Sequence, residues 1–244
     1  MVHDPAIPLV VTSDVHLGSR HCRAQAFAAL LNCLPPRVAL ALNGDTFDDP
    51  RLPLPAEHAE ILRHLRGEAR NRPLYLIEGN HDRRGGAALL PEAHDVPWLE
   101  VPTHGMLILH GDGLDTVMPA HRWFIRIFRR LHRLRVVLGA DNIHVAEYAK
   151  RWQWAYQVLV RRQRANAVAF AVERGVRSVA CGHVHCMQDI QEDGIRYLNT
   201  GAWTEAPTGC LVVTESQARL VDAEEVGGLL ARPARQESGP QTGP

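Results

Sequence analysis

Leu42-Asn43-Gly44-Asp45-Thr46-Phe47-Asp48 follows directly on an apolar run that begins after Arg37. An apolar strand that ends in Gly-Asp-x-x-Asp sets a carboxylate at the mouth of a sheet, where backbone can approach closely and cations can bind. Asp45 reads as a carboxylate shared between two metal ions. Four other short stretches, at positions 14–16, 79–82, 110–112 and 182–185, read as its partners.

Outward from this stretch, the chain alternates strands and helices. Residues 8–13 (Pro-Leu-Val-Val-Thr-Ser) form a β-branched run expected to be the first buried strand, and it ends in Asp14-Val15-His16. Positions 23–33 read as a helix, 37–42 as the second strand, and 55–69 as a second helix stopped by Asn71-Arg72-Pro73. The third strand, 74–78, runs into Gly79-Asn80-His81-Asp82. This rhythm predicts an α/β fold with a mostly parallel sheet and right-handed crossovers. Sites in such folds lie beyond the carboxyl ends of the strands. Residues 106–109 lead into His110-Gly111-Asp112, and 177–181 into Gly182-His183-Val184-His185. The short alternating runs 187–191, 196–199, 209–214 and 218–222 predict antiparallel strands. From 223 to 244 the chain is polar and rich in Gly, Pro, Gln and Arg, and disorder is expected there.

The strand ends together offer Asp14, His16, Asp45, Asn80, His110, His183 and His185. Two carboxylates, one amide oxygen and four imidazoles form a mixed oxygen and nitrogen set suited to borderline divalent ions: Mn²⁺, with Fe²⁺ or Zn²⁺ as alternatives. Asp-x-His and His-x-His put two side chains on one side of an extended turn. Seven ligands over two metals leave open positions for water and phosphate oxygens, as a two-metal hydrolase requires. Asp82 and Asp112 are expected to hydrogen-bond ligand histidines from behind. Asp48 can be read from the sequence as a helix N-terminal residue. His3, His21, His64, His94, His104, His132 and His144 carry no such context and read as ordinary core or surface histidines.

Asp-Val-His, Gly-Asp-Thr-Phe-Asp, Gly-Asn-His-Asp, His-Gly-Asp and Gly-His-Val-His, in this order and each after a strand, resemble the five motifs of the calcineurin-like metallophosphoesterase superfamily. The resemblance covers about residues 8–222. It implies a four-layer αββα sandwich, a catalytic domain over 1–222 and a helical lid inserted at about 116–170. It also implies a first metal held by Asp14, His16, Asp45 and His185 and a second held by Asp45, Asn80, His110 and His183, with Asp45 bridging. His81 and Asn80 would then contact the phosphoryl group, with His81 oriented by Asp48 and able to protonate the leaving oxygen.

Substrate choice has to come from outside this generic core. Between 119 and 164 there are eleven Lys or Arg and two acidic residues, Asp141 and Glu147. Trp123, Phe124, Phe128, Tyr148, Trp152 and Tyr156 recur there at helical spacing among the arginines. The pattern is that of a helical hairpin packed on the core, or of a basic amphipathic lid at an anionic membrane surface that admits acyl chains, with Arg122 and Trp123 touching substrate. Ser13 to Arg20, the His110 motif and Tyr197-Leu198-Asn199-Thr200-Gly201-Ala202-Trp203 are similar to the branch of UDP-2,3-diacylglucosamine hydrolases and their paralogues. Two positions depart from that branch: His81, where its members often carry Arg, and Ala202, where close relatives carry an acid. The expected substrate is a nucleotide-linked lipid. A soluble nucleotide or another phosphoester is the rival, and a metal-dependent scaffold a weaker one. The arginines lack the base-reading pattern of nucleic-acid modules.

Composition fits a soluble globular protein. Net charge is zero, and the five cysteines lack CxxC spacing, which predicts reduced thiols in the cytoplasm. No leader pattern and no membrane-spanning apolar run is read in the sequence, so at most peripheral contact with the inner membrane face is expected.

Overall fold

The computed structural model describes residues 1–117, 130, 134, 137 and 153–231. Two sheets face each other. The first has six strands in the order β11-β10-β1-β2-β3-β4, and the second five in the order β5-β6-β7-β9-β8. The first is made of β1 (Leu9–Thr12), β2 (Ala39–Asn43), β3 (Leu74–Ile77), β4 (His94–Val96), β10 (Gly209–Val213) and β11 (Ala218–Asp222). The second is made of β5 (Leu99–Val101), β6 (Met106–Ile108), β7 (Ser178–Cys181), β8 (Gln188–Glu192) and β9 (Ile195–Asn199).

The continuous apolar runs of the first strands follow from burial on both faces. In β1, Leu9 and Val11 point into the space between the sheets, and Val10 points outward. Ala39 and Ala41 of β2 and Tyr75 and Ile77 of β3 join the inner layer, against Leu99, Met106, Ile108, Ala180 and Leu198 of the second sheet. Leu40, Leu42, Leu74 and Leu76 face the helices α1 (Ala24–Cys33) and α2 (Ala56–Asn71). His58, Ile61, Leu62 and Leu65 give α2 its buried stripe at helical spacing, with Glu57 in its first turn and Arg70 in its last, both favourable to the helix dipole.

A short helix α3 (Gly86–Leu89) follows β3. The outer face of the second sheet is covered by α4 (Gln153–Glu173), whose Ala167, Val168 and Ala171 pack on Val179, Cys181 and Tyr197. The layers are therefore helix, sheet, sheet, helix, the four-layer sandwich expected. The parallel reading holds for β1 to β4 and for β6, β7 and β9, but each sheet is mixed: β10 pairs antiparallel with β1 and β11 antiparallel with β10, and β5 and β8 are antiparallel at the edges of the second. Strands β4 and β5, three residues each, are too short to show a period in the sequence.

Two boundaries differ from expectation. Part of the expected insert, from 153 on, belongs to α4 and so to the outer helical layer; Arg122, Trp123, Phe124 and Phe128 lie outside the described residues. Order also persists past 223: Ala223–Glu225 form a 3-10 turn and Val226–Leu230 a short helix, α5. Ala223 and Val226 are buried beside α1, which a polar composition average hides.

Candidate metal centre

Strand ends build the site, and the loops that leave them are zipped together. The N–H of Asp14 donates to the Gly44 carbonyl at 2.9 Å, that of His16 to Asp45 at 2.9 Å, and that of Leu17 to Thr46 at 2.8 Å. The β1–β2 pairing thus continues into the two motifs and holds Asp14 and His16 beside Asp45. From the second sheet, Gly182 N–H donates to the His110 carbonyl at 3.0 Å, which joins the loops after β6 and β7.

Backbone strain is concentrated here. Six non-glycine residues among those described have φ between 51° and 69°, and five of them are Asp14, His16, Asp45, His183 and His185. Left-handed conformations at such residues cost about 1–3 kcal/mol each and persist where surrounding structure enforces them. Two glycines permit the close approach: a Cβ on Gly79 would collide with the Asp45 carboxylate, and one on Gly182 with that of Asp14.

The side chains gather in two groups. Asp14, His16 and His185 bring ligand atoms within 4.8 Å of one another, as do Asp45, His110 and His183. In the first, His185 Nε2 lies 3.2 Å from Asp14 Oδ1 and 3.4 Å from His16 Nε2. In the second, His110 Nε2 lies 3.4 Å from Asp45 Oδ2. Asp45 groups with the second set and reaches the first electrostatically. Asn80 stands exposed in the turn after β3.

Four of the rings are oriented from behind, which decides the nitrogen each presents. His110 Nδ1 donates to the Asn43 carbonyl at 2.9 Å, leaving Nε2 for the centre. His16 Nδ1 lies 3.2 Å from Asp48 Oδ1, so its Nε2 also faces inward. His183 Nε2 is held 3.1 Å from Asp115 Oδ2, which leaves Nδ1 for a cation. His81 Nδ1 donates to the backbone carbonyl of Asp48 at 2.7 Å, and the Asp48 carboxylate is farther, at 3.8 Å. Asp48 therefore serves two histidines, His16 through its carboxylate and His81 mainly through its carbonyl. His16, Asp48 and His81 also approach one another closely, but as this hydrogen-bonded relay.

The two acids expected behind ligand histidines do other work. Asp82 is fully buried and accepts the N–H groups of Thr46, Phe47 and Gly79 at 3.1, 2.9 and 3.2 Å, tying the loop after β2 to the loop after β3. Burial pushes its carboxyl up to about 6, despite these bonds. Asp112 pairs with Arg83 and joins the loops after β3 and β6. The acid behind His183 is Asp115, five residues after His110 in the same motif; its place at the C-terminal cap of the 3-10 turn Asp112–Leu114 is what the sequence did not reveal.

Electrostatics fit a cation. Asp14 and Asp45 are 0% and 2% exposed. Burial raises both carboxyls, but neighbouring histidines outweigh it: His185 and His110 bring Asp14 down to about 2, and His110 holds Asp45 lower still. Burial lowers His110, yet Asp45 and Asp14 lift it to about 10. Asp14 Oδ1 and His110 Nε2 are buried, and each faces a member of its own group, His185 Nε2 at 3.2 Å and Asp45 Oδ2 at 3.4 Å. Buried carboxylates such as Asp14 and Asp45 are costly unless a positive charge meets them, and a divalent ion would do so. Beside His110 opens a cleft of about 420 Å³, lined by Glu78, Arg83, Asp95 and Asp112 among others.

The chain is similar to known phosphoesterases. The profile of the Calcineurin-like phosphoesterase family matches residues 7–187. A UDP-2,3-diacylglucosamine hydrolase of Bordetella pertussis is 35% identical, over 73% of this chain and 77% of its own. One from Azotobacter vinelandii is 26% identical, over 80% and 90%. The match to the Bordetella parapertussis hydrolase, also 35% identical, spans about half of each chain, 50% and 52%. Among solved structures, the E. coli phosphoesterase Yfce has a TM-score of 0.46 at 14% identity, covering 89% of this chain and 100% of that one.

Proposed function

The chain belongs to the calcineurin-like phosphoesterase family and is a hydrolase, and from that premise we propose that it cleaves the pyrophosphate of a UDP-2,3-diacylglucosamine-like nucleotide lipid with two divalent cations. The observation that carries the metal reading is the pair of gathered groups, Asp14 with His16 and His185 and Asp45 with His110 and His183. Asp14, His16 and His185 would hold one cation, and His110, His183 and Asn80 the other, with Asp45 between. When bound, such cations neutralise phosphate oxygens and acidify water, which is the chemistry that phosphoester hydrolysis needs. Mn²⁺ suits the donor set, as do Fe²⁺ and Zn²⁺.

The protein's own groups do the rest. Exposed Asn80 donates to a phosphoryl oxygen. His81, about a third exposed and fixed through Nδ1 by the Asp48 carbonyl, has Nε2 left to give a proton to the leaving oxygen. The left-handed backbone at five ligand positions keeps the donors in place before substrate arrives, so less reorganisation is needed at the moment of reaction.

The lipid part of the reading rests on the hydrolase relatives and on the aromatic and basic pattern of 119–164. Arg122 and Trp123 would contact the substrate there, and the protein would work in the cytoplasm, peripheral to an anionic membrane face. No helix among the described residues is long and apolar enough to cross a membrane. The test is Mn²⁺-dependent turnover of UDP-2,3-diacylglucosamine beside UDP-glucose and bis-p-nitrophenyl phosphate. The proposal expects kcat/KM at least about 10²-fold higher for the acylated nucleotide; equal or better hydrolysis of UDP-glucose would assign the enzyme to soluble nucleotides.

A further inference from the structure

Helix α4 carries three polar side chains on its inner face, at spacings of seven and three residues. Tyr156 Oη donates to the Val184 carbonyl at 2.9 Å, between His183 and His185. Gln163 Nε2 donates to the Gly111 carbonyl at 2.7 Å, next to His110. Asn166 Nδ2 donates to the Leu114 carbonyl at 2.8 Å, next to Asp115, the acid that holds His183. None of these donors is needed by the helix, and none is part of a ligand group. The three carbonyls named, however, each belong to a residue adjacent to a candidate ligand or to the acid behind one.

We propose that Tyr156 and Gln163 are positioning residues for the metal centre, which fix the loops after β6 and β7 and so set the geometry of His110, His183 and His185. The first sheet holds its own ligands by the strand-like zipper between the loops after β1 and β2. The loops of the second sheet lack a ladder of that length, and α4 supplies the constraint from outside. Gln163 is 1% exposed, and its amide fills the space that a side chain on Gly111 would take. Gly111 itself has φ 98°. The Gln163 amide, the glycine and the left-handed turn thus form one fitted unit directly after His110. Tyr156 acts at the other loop, where His183 and His185 sit at φ 69° and 52°, conformations that relax unless held.

The proposal rests on the reading of His110, His183 and His185 as metal ligands. Outer partners of this kind change metal affinity or activity by about 10–100-fold when removed. The experiment uses metal-stripped full-length Tyr156→Phe, Gln163→Leu and His183→Ala beside wild type. Calorimetric titration with Mn²⁺, the visible spectrum of the Co²⁺-loaded protein and melting of the metal-free protein are read together. Tyr156→Phe, which removes one hydroxyl and keeps the ring, is expected to weaken Mn²⁺ binding by about 10-fold and to alter the Co²⁺ bands with little change in melting. Gln163→Leu is expected to do the same at the His110 loop, with some loss of stability. Wild-type Mn²⁺ affinity and Co²⁺ bands in Tyr156→Phe would overturn the proposal, whatever the melting curve shows. His183→Ala separates the two ideas: if it binds Mn²⁺ as wild type does, the metal-centre reading fails and takes this proposal with it.

Discussion

His110, at the end of the second sheet, donates Nδ1–H to the main-chain carbonyl of Asn43, at the end of β2 in the first sheet, across 2.9 Å. This bond fastens the two halves of the sandwich at the site and turns Nε2 toward Asp45, 3.4 Å away. Without metal, the pair is an imidazolium facing a carboxylate: burial works against the charge on His110, but Asp45 and Asp14 lift it to about 10.

A pH dependence follows. A ligating His110 has to be neutral, so metal binding expels its proton at every pH below about 10. Affinity for the second metal should rise about 10-fold per pH unit through the neutral range. Titrations at pH 7 in buffers of different ionisation heat should report at least one proton released per protein. Zero release would mean that His110 is already neutral, or does not ligate.

Asp115 holds His183 from behind, and its removal should act on the metal before the fold. Asp115→Ala is expected to weaken metal binding about 10–100-fold. Metal-dependent activity measured over a range of Mn²⁺ concentrations should recover at high metal; a loss that no metal concentration restores would place Asp115 in the reaction itself.

Asp82 and Asp112 should differ sharply in stability. Asp82→Ala leaves three buried N–H groups without their acceptor, at about 1–3 kcal/mol for each left unsatisfied. Asp112→Ala removes an ion pair whose arginine is 57% exposed, worth about 1 kcal/mol or less. Denaturant unfolding of the two metal-free variants should show Asp82→Ala as the less stable by at least about 2 kcal/mol. Equal midpoints would remove the structural role given to Asp82.

His81 is assigned to the substrate and not to the metals. His81→Ala should keep its metal content while kcat falls by about 10²-fold or more. Metal analysis on the same preparation as the kinetics decides it, since a variant that loses metal would move His81 into the ligand shell.

Much of this was legible in the chain because strand ends carry both signals at once. The runs before Asp14, Asp45 and Gly79 are buried on both faces, so they read as continuous apolar strands, and the ligand motifs begin where those runs stop. Asp115, Tyr156 and Gln163 were not legible as site residues. Their roles depend on a 3-10 turn and on a helix face that meets backbone carbonyls far away in sequence, and such contacts leave no period. Asp82 shows the opposite error: its place beside His81 suggested a histidine partner, whereas the tight turn aims its carboxylate at backbone N–H groups of the loop after β2. The order at 223–231 was missed because burial of Ala223 and Val226 depends on α1, far away in sequence.

The central claim is a centre of two metals that share Asp45, and elemental analysis of wild type and Asp45→Ala tests it most directly. The account predicts about two divalent ions per wild-type chain. It predicts that Asp45→Ala has reduced occupancy of both sites and loses hydrolysis of bis-p-nitrophenyl phosphate in step. An Asp45→Ala protein that kept both ions and full activity would contradict it.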